Sequence, residues 1–334
     1  MMNKQPSWWP LLLRRGGQAV ALALMVGSLS FALMRSLPGD MATRVAAGRY
    51  GYDLVSAAAA AQVRQELHLD EDWPQALMGW WRQLLSLDLG RSLVTGEPVW
   101  EELASHLGAT LQLTGAAVLL ALLMGLPAAW WSARHPGGWA DRSLTAVTVL
   151  LRATPSFLLA VLLMLAVAVH LGMLPAAGHH QDGGWLLPAL TLALPLAAGC
   201  ARVGAQALRD ARSLPSHRFA RTKGLSDTQA DLRHAARHAA LPLLAYMGVQ
   251  AVVLAEGAVV VESLFAWPGI GHALVHGVFG RDVPVVQGAA LCMGLLFIGF
   301  NLVVDALQTF LDPRLTQAEE HLGTHGHETQ EGRA

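Results

Sequence analysis

An all-α integral membrane protein with six transmembrane helices and both termini in the cytoplasm is the fold class predicted by this 334-residue sequence. Two observations carry that expectation. The chain is 53% hydrophobic and 14% charged, with a mean hydropathy of +0.39, too apolar for a soluble globule of this length. Its apolar residues also gather into stretches near the about 20 residues that a helix needs to cross a hydrocarbon core. They lie at residues 18–37, 109–131, 153–172, 187–206, 241–261 and 285–310.

The elements follow in chain order. Residues 1–17 form a cytoplasmic N-terminus, because Arg14 and Arg15 flank the first span and basic residues near membrane ends stay inside. The first apolar run is longer than a signal-peptide core. Leu37-Pro38-Gly39-Asp40 after it lacks a small-x-small cleavage pattern, so the run reads as a retained helix. Residues 38–108 then lie outside, where acids such as Asp40, Asp53, Glu66, Asp70 and Asp88 outnumber the arginines. Val63, Leu67, Leu69, Trp73, Leu77, Trp80, Trp81, Leu84 and Leu85 recur there at helical spacing and predict a small periplasmic helical segment. Residues 109–311 supply the five-helix transmembrane core, interrupted by a cytoplasmic loop at 207–240, and residues 312–334 form a disordered cytoplasmic tail. Cys200 and Cys292 fall within spans, where a free cysteine behaves as a small hydrophobe.

The loop at 207–240 carries the most information. Pro215 and Gly224 bracket a short helix, and Ser226 followed by Gln229 makes a capping box that opens a second helix running to about Ala240. Arg218, Arg221, Lys223, Arg233 and Arg237 outweigh Asp227 and Asp231, an imbalance that belongs in the cytoplasm. Phe219, Leu225 and Leu232, with alanines at 235, 236, 239 and 240, give this basic island a face able to dock on another protein. Charge alone suits a solvated loop or a surface-lying amphipathic helix equally well.

Some chemistry is excluded. The lysines, Lys4 and Lys223, lie in no G-x-x-x-x-G-K-[ST] phosphate loop, so the chain cannot bind ATP in that manner. No H-E-x-x-H or G-x-S-x-G motif offers a hydrolytic centre.

An ordered series of motifs runs from about Leu11 to Arg314. It comprises Leu37-Pro38-Gly39-Asp40, Leu67-x-Leu69-Asp70 with Trp73-Pro74, Asp88-Leu89-Gly90-x-Ser92, Thr110-Leu111-x-Leu113 and Pro155-Ser156-Phe157. Leu174-Pro175-Ala176, Leu187-Pro188-Ala189, Ala220-Arg221-Thr222-Lys223-Gly224-Leu225 and Leu241-Pro242 continue it. Its densest part is Glu262-x-x-Phe265-Ala266-Trp267-Pro268-Gly269-Ile270-Gly271, Arg281-Asp282-x-Pro284-x-Val286-Gln287, Asn301-Leu302-Val303-Val304-Asp305 and Asp312-Pro313-Arg314. In this order and spacing the chain resembles the binding-protein-dependent ABC importer permeases for dipeptides, oligopeptides and nickel.

That resemblance implies a type I ABC importer permease fold and a non-catalytic role. The expected partners are a second homologous permease, two cytoplasmic ATPase subunits, a periplasmic or lipid-anchored substrate-binding protein and membrane lipid, with no nucleic acid. The chain itself binds no cofactor; ATP and magnesium belong to the ATPases, and the location is the bacterial inner membrane. Phe219, Ala220, Arg221, Lys223, Gly224 and Leu225 would form the ATPase-coupling element, and Trp267, Pro268, Gly269, Gly271, Arg281 and Asp282 a periplasmic gate motif. The Phe265 to Gly269 form, Ala133-Arg134-His135 and Leu174-Pro175-Ala176-x-Gly178 with Trp185 look most like the nickel importers, and imidazole, the side chain of fourteen residues here, suits nickel. Nickel, free or chelated, is therefore the expected cargo, with dipeptides or oligopeptides the alternative.

Glu256 and Glu262 are candidate pathway residues, with His179 and His180 beside Asp182. Glu256 stands where the family usually has a small residue. Because a charge inside the bilayer is costly, it either attracts cations along the pathway or pairs with Arg202 or Arg152. Arg152 is expected to snorkel from the cytoplasmic end of the third span. His217, His234 and His238 decorate the basic island, and His321, His325 and His327 are candidate metal ligands in the tail. A self-contained secondary transporter or channel is the rival class, but no inverted repeat is visible.

Overall fold

The computed structural model describes residues 9–36, 39–51, 56–66, 72–86, 88–178 and 183–311, and every regular element among them is helical. Helix α1 (Trp9–Ser36) is followed by three short helices, α2 (Met41–Tyr50), α3 (Ala57–Glu66) and α4 (Trp73–Leu85). Asp40 caps α2 by accepting the Thr43 amide at 3.2 Å, and the Thr43 hydroxyl on the same oxygen holds this carboxyl below its ordinary range. Ala42, Val45 and Ala46 of α2 bury themselves against Val63 of α3, the one residue of the expected stripe among the described residues that is fully buried, whereas Trp73 and Trp81 of α4 are exposed. Asp53, Leu67, Leu69 and Asp70 lie outside the described residues.

Helix α5 (Val99–Arg134) begins ten residues before the expected span at 109, directly after Pro98. Val99 and Leu103 are buried with Ile270 and Val285, so tertiary contact extends the helix beyond its lipid-facing window. The third span expected at 153–172 falls on one short helix, and a further helix precedes it where a loop is expected. α6 (Trp139–Ala153) and α7 (Ser156–Leu163, continued by a π-helical turn, Met164–His170) meet at 107°. The bend falls at Thr154-Pro155, because the residue before proline is pushed out of the helical region; Thr154 has φ −85° and ψ 120°.

Helix α8 (Leu186–Ser213) runs past its expected end at 206, and α9 (Pro215–Thr222) follows. The second island helix does not stop near Ala240. α10 (Asp227–Ala230) passes through a π-helical turn at Asp231–Ala235 into α11 (Ala236–Leu264), giving a continuous 38-residue helix from Asp227 to Leu264. Pro242 lies inside it and removes one backbone donor without ending it, because the chain on both sides is held by tertiary packing. α12 (Ile270–Gly280) and α13 (Val283–Leu311) complete the fold.

Helix α8 is the centre of the core and packs against α5, α11, α6 and α7. Its approach to α5 depends on small residues: a Cβ at Gly125 would stand 2.8 Å from the Ala197 carbonyl oxygen, and one at Gly204 would meet Ala129 at 3.1 Å. α1 lies along α13, where Arg15 Nε donates to Asp305 at 3.1 Å. By length and composition, α5, α8, α10–α11 and α13 can each cross a membrane, and the α6–α7 pair makes a fifth if it counts as one broken span.

Candidate functional site

Three groups of polar side chains interrupt this apolar body. The first organises the basic island. The capping box is present in both halves: Ser226 Oγ accepts the Gln229 amide at 3.3 Å, and Gln229 Oε1 accepts the Ser226 amide at 3.3 Å. Gly224 closes α9 at φ +89°, a conformation that costs a side-chain-bearing residue about 1–2 kcal/mol. Ala220 lies on the buried face of α9, whereas Phe219 and Leu232 are 61% and 62% exposed. Lys223 Nζ sits 4.6 Å from the Phe219 ring centroid, and Arg221 Nε pairs with Asp227 at 2.7 Å. Leu225 is half-buried. The expected coupling residues thus form one element that presents an apolar knob with a cationic rim.

What fixes this element to the helices is Asp231, which the charge count treated only as a minority acid. Its side chain is 2% exposed. Arg212 at the end of α8 donates to both oxygens, from Nε at 2.9 Å and Nη2 at 2.6 Å, in the fork geometry that guanidinium and carboxylate favour. His217 Nε2 of α9 donates at 3.1 Å and Arg134 Nη2 at the end of α5 at 3.4 Å. Arg134 also reaches Thr228 Oγ1 at 2.8 Å, and Arg212 Nη1 reaches the Ala133 carbonyl at 2.7 Å. His217, expected as surface decoration, is therefore buried and part of the joint. A neighbouring carboxylate, Asp141 of α6, takes Ser132 at 2.7 Å and Arg209 of α8 at 3.2 Å.

The second group lies at the C-terminal end of α11. Glu262, expected beside the pathway, is fully buried. Its Oε1 accepts Thr110 Oγ1 of α5 at 2.7 Å, and Oε2 accepts the Gly271 amide at 2.7 Å and the His272 amide at 3.3 Å, so the carboxylate caps the start of α12. Thr110 Oγ1 in turn accepts the Ile270 amide at 2.8 Å. The two glycines are required by this contact. A Cβ at Gly269 would stand 2.2 Å from the Glu262 carboxyl carbon, and one at Gly271 would stand 2.5 Å from Val259 Cα. Trp267 is 2% exposed and donates its indole N–H to the Ala109 carbonyl at 2.9 Å, while His106 Nδ1 donates to the Pro268 carbonyl at 2.7 Å. Asp282 caps α13 and takes the Leu93 and Val94 amides at 3.1 and 3.2 Å together with the Ser92 hydroxyl. Arg281, in the left-handed region at φ 53°, reaches the Gly39 carbonyl at 3.3 Å. The residues expected as a gate motif tie α5, α11, α12, α13 and the 88–98 turn together as a latch.

The third group stands on the spans. Glu256 is exposed on α11 and pairs with neither expected arginine. Arg202 is engaged by Thr145 at 3.0 Å and Asp141 at 3.5 Å. Arg152 is exposed, and its Nη1 donates to Tyr246 Oη of α11 at 3.0 Å beside the α6–α7 bend. His179, His180, His321, His325 and His327 lie outside the described residues.

With this geometry in view, the comparisons decide the family. Residues 125–317 match the family described as binding-protein-dependent transport system inner membrane component. The chain belongs to this family. A Brucella abortus protein whose name describes a peptide transport system permease is 35% identical over 313 residues, covering 91% of this chain and 98% of the relative. Glutathione transport system permease proteins of Pectobacterium atrosepticum and Salmonella typhi are each 37% identical, covering 87% of this chain and 94% of the relative. Among solved structures, a crystal structure of an amino acid ABC transporter with histidines matches 62% of this chain and 93% of that chain, at 21% identity and a TM-score of 0.49. This permease is accordingly a component of an ABC importer and a multi-pass protein of the bacterial inner membrane.

Proposed function

We propose that this permease forms half of the translocation pathway of an ATP-driven importer of small peptides. The observation that carries the cargo assignment is the near full-length match to relatives named for peptide and glutathione transport. It favours the peptide alternative over the nickel expectation, whose support was confined to local motif forms and to histidine content.

In this reading six helices cross the membrane with both termini in the cytoplasm. A second permease completes the pathway, a binding protein delivers cargo from outside, and two ATPases bind ATP and magnesium. This chain performs no catalysis. Phe219 and Leu232 seat in the ATPases, and closure of the ATPase pair pushes on α9. Asp231 passes that movement to the ends of α5 and α8, and α10–α11 carries it across the bilayer, so the helices alternate between inward-open and outward-open arrangements.

Two measurements test the proposal. Deleting the chain is expected to abolish growth on a dipeptide supplying a required amino acid, with uptake of radioactive nickel intact; loss of nickel uptake alone would restore the nickel reading. Gly224→Val is expected to reduce ATP-driven uptake severalfold with the chain still membrane-inserted. No side chain crowds that position, so the damage is confined to the island's backbone turn.

A further inference from the structure

One face of α11 is uncovered along most of its length. Pro242, Ala245, Val249, Val252, Val253 and Glu256 recur every three or four residues and are all exposed, so they form a smooth apolar wall with one charge. Among the described residues, no hydrogen bond or ion pair engages the Glu256 carboxylate. Glu256 lies eight residues, or about 12 Å, short of the end of α11, within the span. A carboxylate at such a depth is not stable facing lipid and marks a wall that meets water, cargo or another polar group.

A second charge borders the same wall. Arg152 is exposed, and its only partner among the described residues is the neutral Tyr246 hydroxyl, at the edge of the Ala245–Val249 stripe. Tyr246, which holds Arg152, and Glu256 are ten residues apart on one helix, a rise of about 15 Å along its axis. Between them lie only small and β-branched apolar side chains. An extended chain advances at most about 3.3–3.6 Å per residue, so about four residues bridge the poles.

We propose that Glu256 and Arg152 are the two poles of a peptide-binding wall, Glu256 taking the terminal ammonium of the cargo and Arg152 its terminal carboxylate. This rests on the peptide-import reading above and adds the feature recognised: a free zwitterionic backbone of about four residues rather than particular side chains. The wall between the poles offers no polar group to read sequence, and guanidinium is suited to clasp a carboxylate.

The test is calorimetric binding of tetraalanine, N-acetyl-tetraalanine and tetraalanine amide to the purified complex of permease pair and ATPases. Wild type is expected to bind the unblocked peptide about tenfold more tightly than either blocked one, the loss typical of one charge-assisted contact. Glu256→Gln should remove the preference over the acetylated peptide alone, Arg152→Gln the preference over the amide alone, and Glu256→Asp should restore part of the first. Equal weakening of all three peptides by either substitution, or no weakening, overturns the proposal. So does separation of the two permeases on gel filtration of Glu256→Gln, which would make the carboxylate a subunit contact. A wild-type complex that binds none of the three overturns the two-pole wall, whereas undiminished growth on a dipeptide after deletion of the chain overturns the peptide-import reading itself.

Discussion

Replacing Asp231 with alanine is expected to lower ATP-driven uptake more than tenfold while the chain remains inserted and paired in the membrane. The carboxylate is almost wholly buried and receives donors from the ends of α5 and α8 and from α9. Its removal leaves Arg212 and Arg134 without their shared counter-charge. Breaking a buried ion pair from one side costs about 3–5 kcal/mol, and the 21% and 32% exposure of the two arginines puts this case at the lower end. The spans are held by their own apolar contacts, so the loss is local: the island comes loose from α5 and α8. Faster proteolysis within 214–235 together with uncoupled ATP hydrolysis would establish the effect, and normal uptake by Asp231→Ala would refute it. Asp231→Asn, which keeps one acceptor oxygen, should fall between alanine and wild type.

Gly271→Ala is expected to destabilise the assembled protein and abolish uptake. The added methyl would meet Val259 Cα at 2.5 Å and Glu262 Oε2 at 2.8 Å. A backbone atom cannot rotate aside, so α12 must move away from α11 and its amides must leave the Glu262 carboxylate. Overpacking of this kind costs about 1–3 kcal/mol, and detaching a buried carboxylate adds to it. Thermal unfolding of the purified protein followed by far-ultraviolet circular dichroism measures it. Gly115→Ala, which meets nothing within 4 Å and lies in the interior of α5, is the control expected to leave stability equal or slightly raised. Equal melting temperatures for the two variants would contradict the latch.

What the sequence disclosed followed from whether its signal was local. The Ser226–Gln229 box and the Gly224 turn are made by residues within a few positions of each other, and both appear as read. Hydropathy windows fell on helices but measured lipid contact rather than helix length, so α5, α8 and α10–α11 all run beyond their windows, and α1, under the first window, is not among the helices that qualify as spans by length and composition. The span boundary at 153 fell beside the Thr154-Pro155 bend, but α6, whose Asp141, Arg142 and Arg152 lower its hydropathy, reads as a loop. Asp231 could not be assigned from charge counting, since its partners Arg134 and Arg212 are 97 and 19 residues away and meet only after α5 and α8 pack. The Glu262, Gly269 and Gly271 motif was visible as a pattern, but its meaning, a carboxylate closing on the start of α12, depends on a close approach that spacing does not reveal.

The unbroken helix from Asp227 to Leu264 has a mechanical consequence. At 1.5 Å per residue its 38 residues measure about 57 Å, and they join the Asp231 joint at one end to the Glu262 latch at the other. Such a rod acts as a lever: pivoting it by about 10° at the island sweeps its far tip sideways by about 10 Å. On the import mechanism proposed above, a modest rotation at the island would then suffice to open and close a passage, without any span having to unwind.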